Sequence, residues 1–237
     1  MMGSRHPPPC VVAIDGPAAS GKSSTAAEVA RRLGYLHVDS GALYRAVTCV
    51  ALDLGGAGAG GGAIIRAADA RGVDLVVRDA TVKALIDGRA IGDRLRGADV
   101  TAEVSPVSAL PEVRDWVNRR LRGLAATGRP SVVEGRDIGT AVFPDAPVKV
   151  FLTASPAVRA ARRLQQRGET ADQAAMAAEA ARIAARDQAD ASREVAPLRA
   201  AEDAVQLDTS ALGFEEQVDR IVRLVLASPL PRSGSGD

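Results

Sequence analysis

Lysine is nearly missing from this chain: of 30 basic residues only Lys22, Lys83 and Lys149 are lysines, so each invites the question of what it does. Cysteine is as scarce. Cys10 and Cys49 stand alone in apolar surroundings with no C-x-x-C spacing, which argues against a disulfide or a thiolate metal site and for two small buried hydrophobes. Two histidines, His6 and His37, give no ligand cluster. Charge of one sign is missing too. Thirty Lys+Arg against 29 Asp+Glu leaves +1, which disfavours a nucleic-acid binder working by bulk electrostatics. Aromatics at 3% disfavour a base-stacking platform. No run of about 18 apolar residues occurs, so no membrane span is expected. The opening MMGSRHPPPC lacks the apolar stretch of a signal peptide. The expectation is a cytoplasmic protein without membrane or nucleic-acid polymer as partner.

What is present is ordinary globular material: 237 residues, 46% apolar and 25% charged. A chain of that length buries roughly 70–75% of its unfolded surface and needs no disulfide or metal to hold it together. Val11 to Asp15 is a short apolar run ended by Gly16-Pro17, as in a buried parallel strand. Lys22 to Leu33 reads as a helix stopped by Gly34. Leu36–Val38 is a second strand and Ala42–Leu52 a second helix, so a βαβ unit and a parallel sheet follow. Residues 55–62, GGAGAGGG, read as a flexible connector with no regular structure, either a plain permissive loop or a hinge. Segments 73–77 and 82–86, with the turn pair Asp87-Gly88, predict a small antiparallel sheet inserted at about 72–100. A helix is expected from Pro111 to about Ala126, and strands at 131–133 and 148–152. Helix follows over 156–196, ended by Pro197, then a strand at 205–207 and a helix at 214–226. The two ends, 1–10 and 228–237, read as disordered tails.

Residues 16–23, Gly16-Pro17-Ala18-Ala19-Ser20-Gly21-Lys22-Ser23, fit G-x-x-x-x-G-K-[ST], for which this composition allows about 0.003 chance matches. The glycines let successive N–H groups converge on an anion, and the helix start adds positive potential. Lys22 is placed to reach the β/γ oxygens, and Ser23 to offer its hydroxyl oxygen to Mg²⁺. The loop predicts a bound triphosphate and is silent about its fate. A GTPase would need Asn-Lys-x-Asp, but the sole asparagine, Asn118, precedes Arg119. A mechanical ATPase would use an acid after a long strand, a part open to Glu134. A small kinase would need a second cleft for an acceptor. Asp39 to Arg45 and Glu134 to Thr140 favour the kinase. Both follow strands on the rim of the phosphate loop, and each pairs a glycine with an arginine suited to phosphate.

On these stretches the chain resembles bacterial cytidylate kinases, within the nucleoside-monophosphate kinase superfamily. The matching segments are VVAIDGPAASGKSS (11–24), VDSGALYRA (38–46), SALPEVR (108–114), VEGRDIGTAVFPDAPVK (133–149), RDQADASREVAPL (186–198) and AVQLDTS (204–210). The chain departs from the family pattern at Glu134, where many members carry Asp, and at Ala189, where some carry Arg.

The resemblance implies an α/β P-loop kinase core with a parallel sheet flanked by helices. It adds an inserted monophosphate-binding region with a small antiparallel sheet, and a helical lid. It places the ATP-binding core in 11–39, 128–155 and 198–227, the CMP-binding region in 40–127, and the lid with its following helix in 156–197. It implies ATP on residues 16–24, Gly16 through Ser24, with Arg162, Arg163 and Arg167 in the lid. Arg45 and Arg136 would grip the CMP phosphate beside Ser40. Ser105 (or its rival Ser108), Arg114 and Asp137 would face cytosine, and Arg186 and Asp190 the pentose. Arg193 would bridge acceptor and transferring phosphate; with Lys22 and Arg136 it is a candidate catalytic group. Arg182, Arg186, Asp190 and Arg193 follow at i, i+4, i+8 and i+11 on one helix face, with Arg182 read as ordinary surface. The expected cofactor is Mg²⁺ entering with ATP, the substrates are ATP with CMP or dCMP, and the state is a monomer. Rival readings are a same-fold kinase for UMP, AMP or shikimate, an ATP-hydrolysing switch or assembly module, and an inactive nucleotide binder.

Overall fold

The structure is a computed structural model that describes residues 10–228. The expected tails at 1–9 and 229–237 lie outside the described residues. Cys10 belongs to the fold: it is buried, and its carbonyl accepts from the Ser131 N–H at 2.9 Å.

Five parallel strands carry the molecule: β1 (Val11–Asp15), β2 (Leu36–Asp39), β6 (Ser131–Gly135), β7 (Val148–Thr153) and β8 (Val205–Asp208), in the order β2-β6-β1-β7-β8. Central β1 and β6 are buried on both faces, as continuous apolar runs such as VVAID require. Side chains alternate across the sheet. Val12, Ile14 and Val132 face α1 (Lys22–Leu33) and α8 (Phe214–Ala227), where Val29, Val218 and Ile221 complete one core. Val11, Ala13 and Val133 face the other core, built on α2 (Ser40–Leu52), α3 (Gly61–Ala70), α4 (Ala98–Ala109) and α5 (Pro111–Ala125) around Leu43, Ile64 and Trp116.

The insertion differs from expectation. Strands β3 (Asp74–Arg78), β4 (Thr81–Ile86) and β5 (Arg89–Ala90) form an antiparallel meander, but β4 also pairs with β2 at Thr81 and His37, so they extend the main sheet to eight strands. Both hairpins turn on residue pairs with positive φ, Asp79-Ala80 and Asp87-Gly88. The glycine stretch at 55–62 is regular after all: Gly56–Ala59 is a 3₁₀ turn and α3 starts at Gly61. The reason is tertiary. The Glu103 carboxylate accepts from the Ala57 N–H at 2.8 Å, and a Cβ at Gly56 or Gly61 would strike Glu103 or Glu112. Nor did sequence periodicity reveal α4, which contains Pro106.

The helical span expected over 156–196 is two packed helices, α6 (Pro156–Arg167) and α7 (Gln173–Ala191), separated at Gly168 with φ +69°. Helix α7 stops before Pro197 because the chain doubles back, and the Leu198 N–H reaches the Asp190 carbonyl at 2.9 Å. Arg193 therefore lies beyond the helix rather than on its face. No helix among the described residues is long and apolar enough to cross a membrane.

Candidate active site

Parallel strands all end at one rim, and the turns leaving β1, β2 and β6 line one cavity of about 610 Å³ there. The loop after β1 curls because of Gly16, where a Cβ would lie 2.2 Å from the Leu152 carbonyl oxygen, and Gly21, at φ +93° before α1. Ala18, Ala19, Gly21, Lys22, Ser23 and Ser24 line the cavity, whereas Gly16, Pro17 and buried Ser20 shape the loop from behind. Lys22 is buried at the helix start and its Nζ donates to the Pro17 carbonyl at 2.9 Å. Burial drives its pKa well below the lysine value, and Arg136 and Arg186 push the same way. Ser23 Oγ donates to Glu134 Oε2 at 2.6 Å.

Strand β6 delivers Glu134 into this corner. Burial would raise its pKa, but the side-chain contact with His37, Lys22 and the Ser23 hydroxyl outweigh it and hold the carboxyl below its usual range. Neighbouring Asp39 goes the other way: burial raises it and the Glu134 charge adds to the shift. Ser40 Oγ donates to the Glu134 carbonyl at 2.7 Å, which ties the start of α2 to β6. Any side chain at Gly135 would collide with Ser40 and Ile138, so that close approach needs glycine.

The second half of the cavity is a lattice of arginines and carboxylates. Arg136 Nε donates to Asp190 Oδ2 at 3.1 Å, and Arg193 Nη2 donates to Asp190 Oδ1 at 2.5 Å. Burial raises the pKa of Asp190, but the guanidinium groups of Arg136, Arg193 and Arg186 more than offset it. Arg114 and Asp137 form a buried ion pair, and Arg114 Nη1 also donates to the Ser108 carbonyl at 3.1 Å. Arg45 and Arg186 line the cavity with no carboxylate partner within salt-bridge distance among the described residues. Burial and then the charge of Arg136 bring the Arg186 guanidinium down to about 10. In total nine cationic side chains and four carboxylates line the cavity. Cations that depress one another's pKa in a buried site are stabilised by a polyanion that separates them.

The structure thus brings most of the expected residues together. Two stand aside. Arg167 does not line the cavity and pairs with Glu169 at 2.8 Å and Glu179 at 2.7 Å. Of the two serines, Ser108 lines the cavity, while Ser105 sits behind it, donating to Asp190 at 2.9 Å and accepting from Arg193 at 3.1 Å. Arg162 donates to the Ser20 carbonyl at 3.1 Å and to the Thr209 carbonyl at 2.9 Å, and Arg163 lines the wall next to it. Arg182 is surface, as expected, with 72% of its side chain exposed.

Sequence reasoning missed several participants. Arg96, from the insertion, lines the cavity, as do Phe214 and Gln217 of α8. Asp15 accepts from the Ile138 and Gly139 N–H groups at 2.8 and 2.7 Å, which joins the root of the phosphate loop to the turn after Arg136 and Asp137. Its carboxyl ending a wholly buried strand was the available signal. His37 Nε2 lies 3.2 Å from Glu134 Oε1, a contact across two strands that no local pattern announces.

Comparison with known proteins agrees with this geometry. A family model described as cytidylate kinase matches residues 12–227. The chain is 41% identical over 218 residues to the cytidylate kinase of Corynebacterium efficiens, covering 92% of this chain and 95% of that one. It is 44% identical over 217 residues to that of Geobacillus sp. strain WCH70 (90% and 95% covered). With that of Mycobacterium avium the figure is 44% over 218 residues (91% and 94%).

Proposed function

The chain belongs to the cytidylate kinase family, and from that premise we propose that it transfers the γ-phosphate of ATP to CMP or dCMP, giving ADP and CDP or dCDP. One observation carries the reading beyond membership: a single cavity joins a phosphate loop to a second, arginine-rich half that ends in the buried Arg114–Asp137 pair. In this reading the core segments 11–39, 128–155 and 198–227 hold ATP, residues 40–127 hold the acceptor, and 156–197 form the lid.

The nucleophile is a phosphate oxygen of CMP, already anionic at neutral pH because the second phosphate pKa is about 6. No general base is needed. The obstacle is repulsion between two polyanions, about 4 kcal/mol for each pair of unit charges 4 Å apart at an effective dielectric near 20. Catalysis is then countercharge and alignment. Lys22 and the loop amides hold the donor phosphates, Arg45 and Arg136 grip the acceptor phosphate near Ser40, and Arg193 lies between the two. Asp190 holds Arg136 and Arg193 in place through its two oxygens and with Arg186 faces the pentose. Arg162 and Arg163 close over the donor; Arg167, held by Glu169 and Glu179, steadies the lid.

Mg²⁺ would enter with ATP and, when bound, supply further neutralisation of phosphate charge. The donor set fits a hard cation. Ser23 donates a hydrogen bond to Glu134, which leaves the hydroxyl lone pairs free for a cation, and both groups offer oxygen. Cytosine recognition follows from Asp137, whose Oδ2 is taken by Arg114 while Oδ1 can accept from the exocyclic amine. Arg114 and the Ser108 hydroxyl face the ring's acceptors. Uracil would set a carbonyl against that carboxylate, at about 1–3 kcal/mol. The reading includes a cytoplasmic location and a monomer, the latter because one chain supplies every group the reaction uses.

Initial rates with ATP and each of CMP, dCMP, UMP, AMP and shikimate test the assignment. The cytidine nucleotides should be preferred. A faster reaction with any other acceptor, or ATP hydrolysis unaffected by CMP, overturns it.

A further inference from the structure

Besides the Arg162 contact at Ser20, the phosphate loop is gripped from outside at Ala18, through both of its backbone polar groups. The Ala18 N–H donates to Asp187 Oδ1 at 2.9 Å, and the Ala18 carbonyl accepts from Arg159 Nη1 at 3.1 Å. Arg159 Nη1 also donates to Asp187 Oδ2. An ion pair shared between α6 and α7 thus satisfies both polar groups of a residue 141 and 169 positions away in the chain. Arg159 is buried at 8% exposure and Ala18 at 2%. The next residue, Ala19, holds φ +58° without being glycine, a conformation that persists only where surrounding contacts over-determine it.

The same helix reaches the other half of the cavity. Asp190, one turn beyond Asp187, holds Arg136 and Arg193, and Arg186 stands next to Asp187 in sequence. Residues three apart on a helix lie about 4.5 Å apart along its axis. Helix α7 is therefore a short rigid rod, with Asp187 fastened to the donor loop and Asp190 fastened to the acceptor arginines.

We propose that Arg159 and Asp187 are positioning residues: their clasp on Ala18 sets the phosphate loop in line with the acceptor arginines held by Asp190. Neither touches the reacting atoms. Loss of the clasp lets the loop drift against Arg136 and Arg193, and misplacement of about 1 Å costs on the order of 10²-fold in rate. The acceptor contacts themselves stay in place, so the loss falls on kcat rather than on the KM for CMP.

This inference rests on the kinase reading above, and its test keeps the two apart. The full-length wild type is assayed beside Asp187→Asn, Arg159→Met and the double variant, each checked for folding by thermal melt. Amide exchange of the phosphate-loop peptide is followed by mass spectrometry as a readout that needs no acceptor. The expected result is faster exchange at the loop in both single variants, kcat lowered at least tenfold, and KM for CMP within threefold of wild type. The double variant should lose no more than the worse single variant, because the two side chains act as one unit. Unchanged loop exchange, unchanged kcat, a loss confined to KM, or additive losses would each overturn the clasp. A wild type that ignores CMP would overturn the kinase reading instead, while loop exchange would still report on the clasp. Asp187→Asn preserves side-chain volume and one acceptor oxygen, so it remains informative if Arg159→Met fails to fold.

Discussion

Replacing Asp137 with Asn separates two consequences that the structure ties to one carboxylate. The perturbation removes the charge facing Arg114, a guanidinium at 2% exposure whose Nε has no partner among the described residues and whose remaining hydrogen bond goes to the Ser108 carbonyl at 3.1 Å. Breaking a buried pair by deleting one partner costs about 3–5 kcal/mol, because the surviving charge stays desolvated. A domain of this size shifts by roughly 2–4 °C per kcal/mol, so the variant should melt about 6–20 °C below wild type. The second consequence concerns the ligand. CMP at about 100 times its Kd stabilises the wild type by about 2.7 kcal/mol. Loss of the amine contact weakens binding about tenfold, and the same CMP concentration then adds only about 1.4 kcal/mol. The shift given by ATP should persist, since Asp137 stands in the acceptor half. Thermal melts of both proteins, alone and with each nucleotide, supply all six numbers. A variant melting within 2 °C of wild type would refute the energetic argument. Equal loss of the CMP and ATP shifts would refute the placement of Asp137 at the base.

Two further outcomes are expected. Lys22→Ala should reduce turnover by about 10²–10³-fold, the scale of one lost electrostatic contact to a developing charge. Its melting temperature should match or exceed that of wild type, since burial already depresses the Lys22 pKa and the cationic form is held at a cost; a large drop in melting temperature would show that the lysine supports the fold. Asp15 is raised to about 6 by burial, with the Asp137 charge adding, against partial compensation from the Gly139 and Ile138 N–H groups. A carboxyl whose folded pKa exceeds its unfolded value near 3.9 contributes most below pH 4, and that contribution is lost as pH rises through about 6. Relative to Asp15→Asn, the wild type should therefore lose up to about 3 kcal/mol between pH 4 and pH 7 in denaturant titrations. A stability difference that stays flat across that window would contradict the assigned shift.

Local chemistry made the donor half legible. The run VVAID, two glycines, Lys22 and a helix-forming stretch lie within about twenty consecutive residues, so spacing alone predicts strand, phosphate loop and helix, and all three occur at 11–33. The glycine–arginine segments after two further strands extended this to Arg45 and Arg136, and the resemblance to Asp190; the fold does bring all three to one cavity. Propensity misled where a tertiary partner outvoted it. Glycines at 55–62 argue for a loose connector, yet Glu103 and Glu112 occupy the space that Cβ atoms would need, and the segment is turned and helical. Helical spacing likewise put Arg193 on α7, whereas it lies beyond the helix end, with Asp190 and two serines holding its guanidinium.

By itself the sequence determined the order of elements, the identity of the phosphate loop and the supply of arginines, because each depends on neighbours in the chain. Only the tertiary structure decided that Ser108 rather than Ser105 lines the cavity. The same holds for Asp15 bracing the turn after Asp137, and for Arg159 and Asp187 clasping Ala18. Those contacts join residues up to 169 positions apart. Their partners are chosen by where the sheet and helices bring buried polar groups within hydrogen-bond reach, and that choice has no local signature.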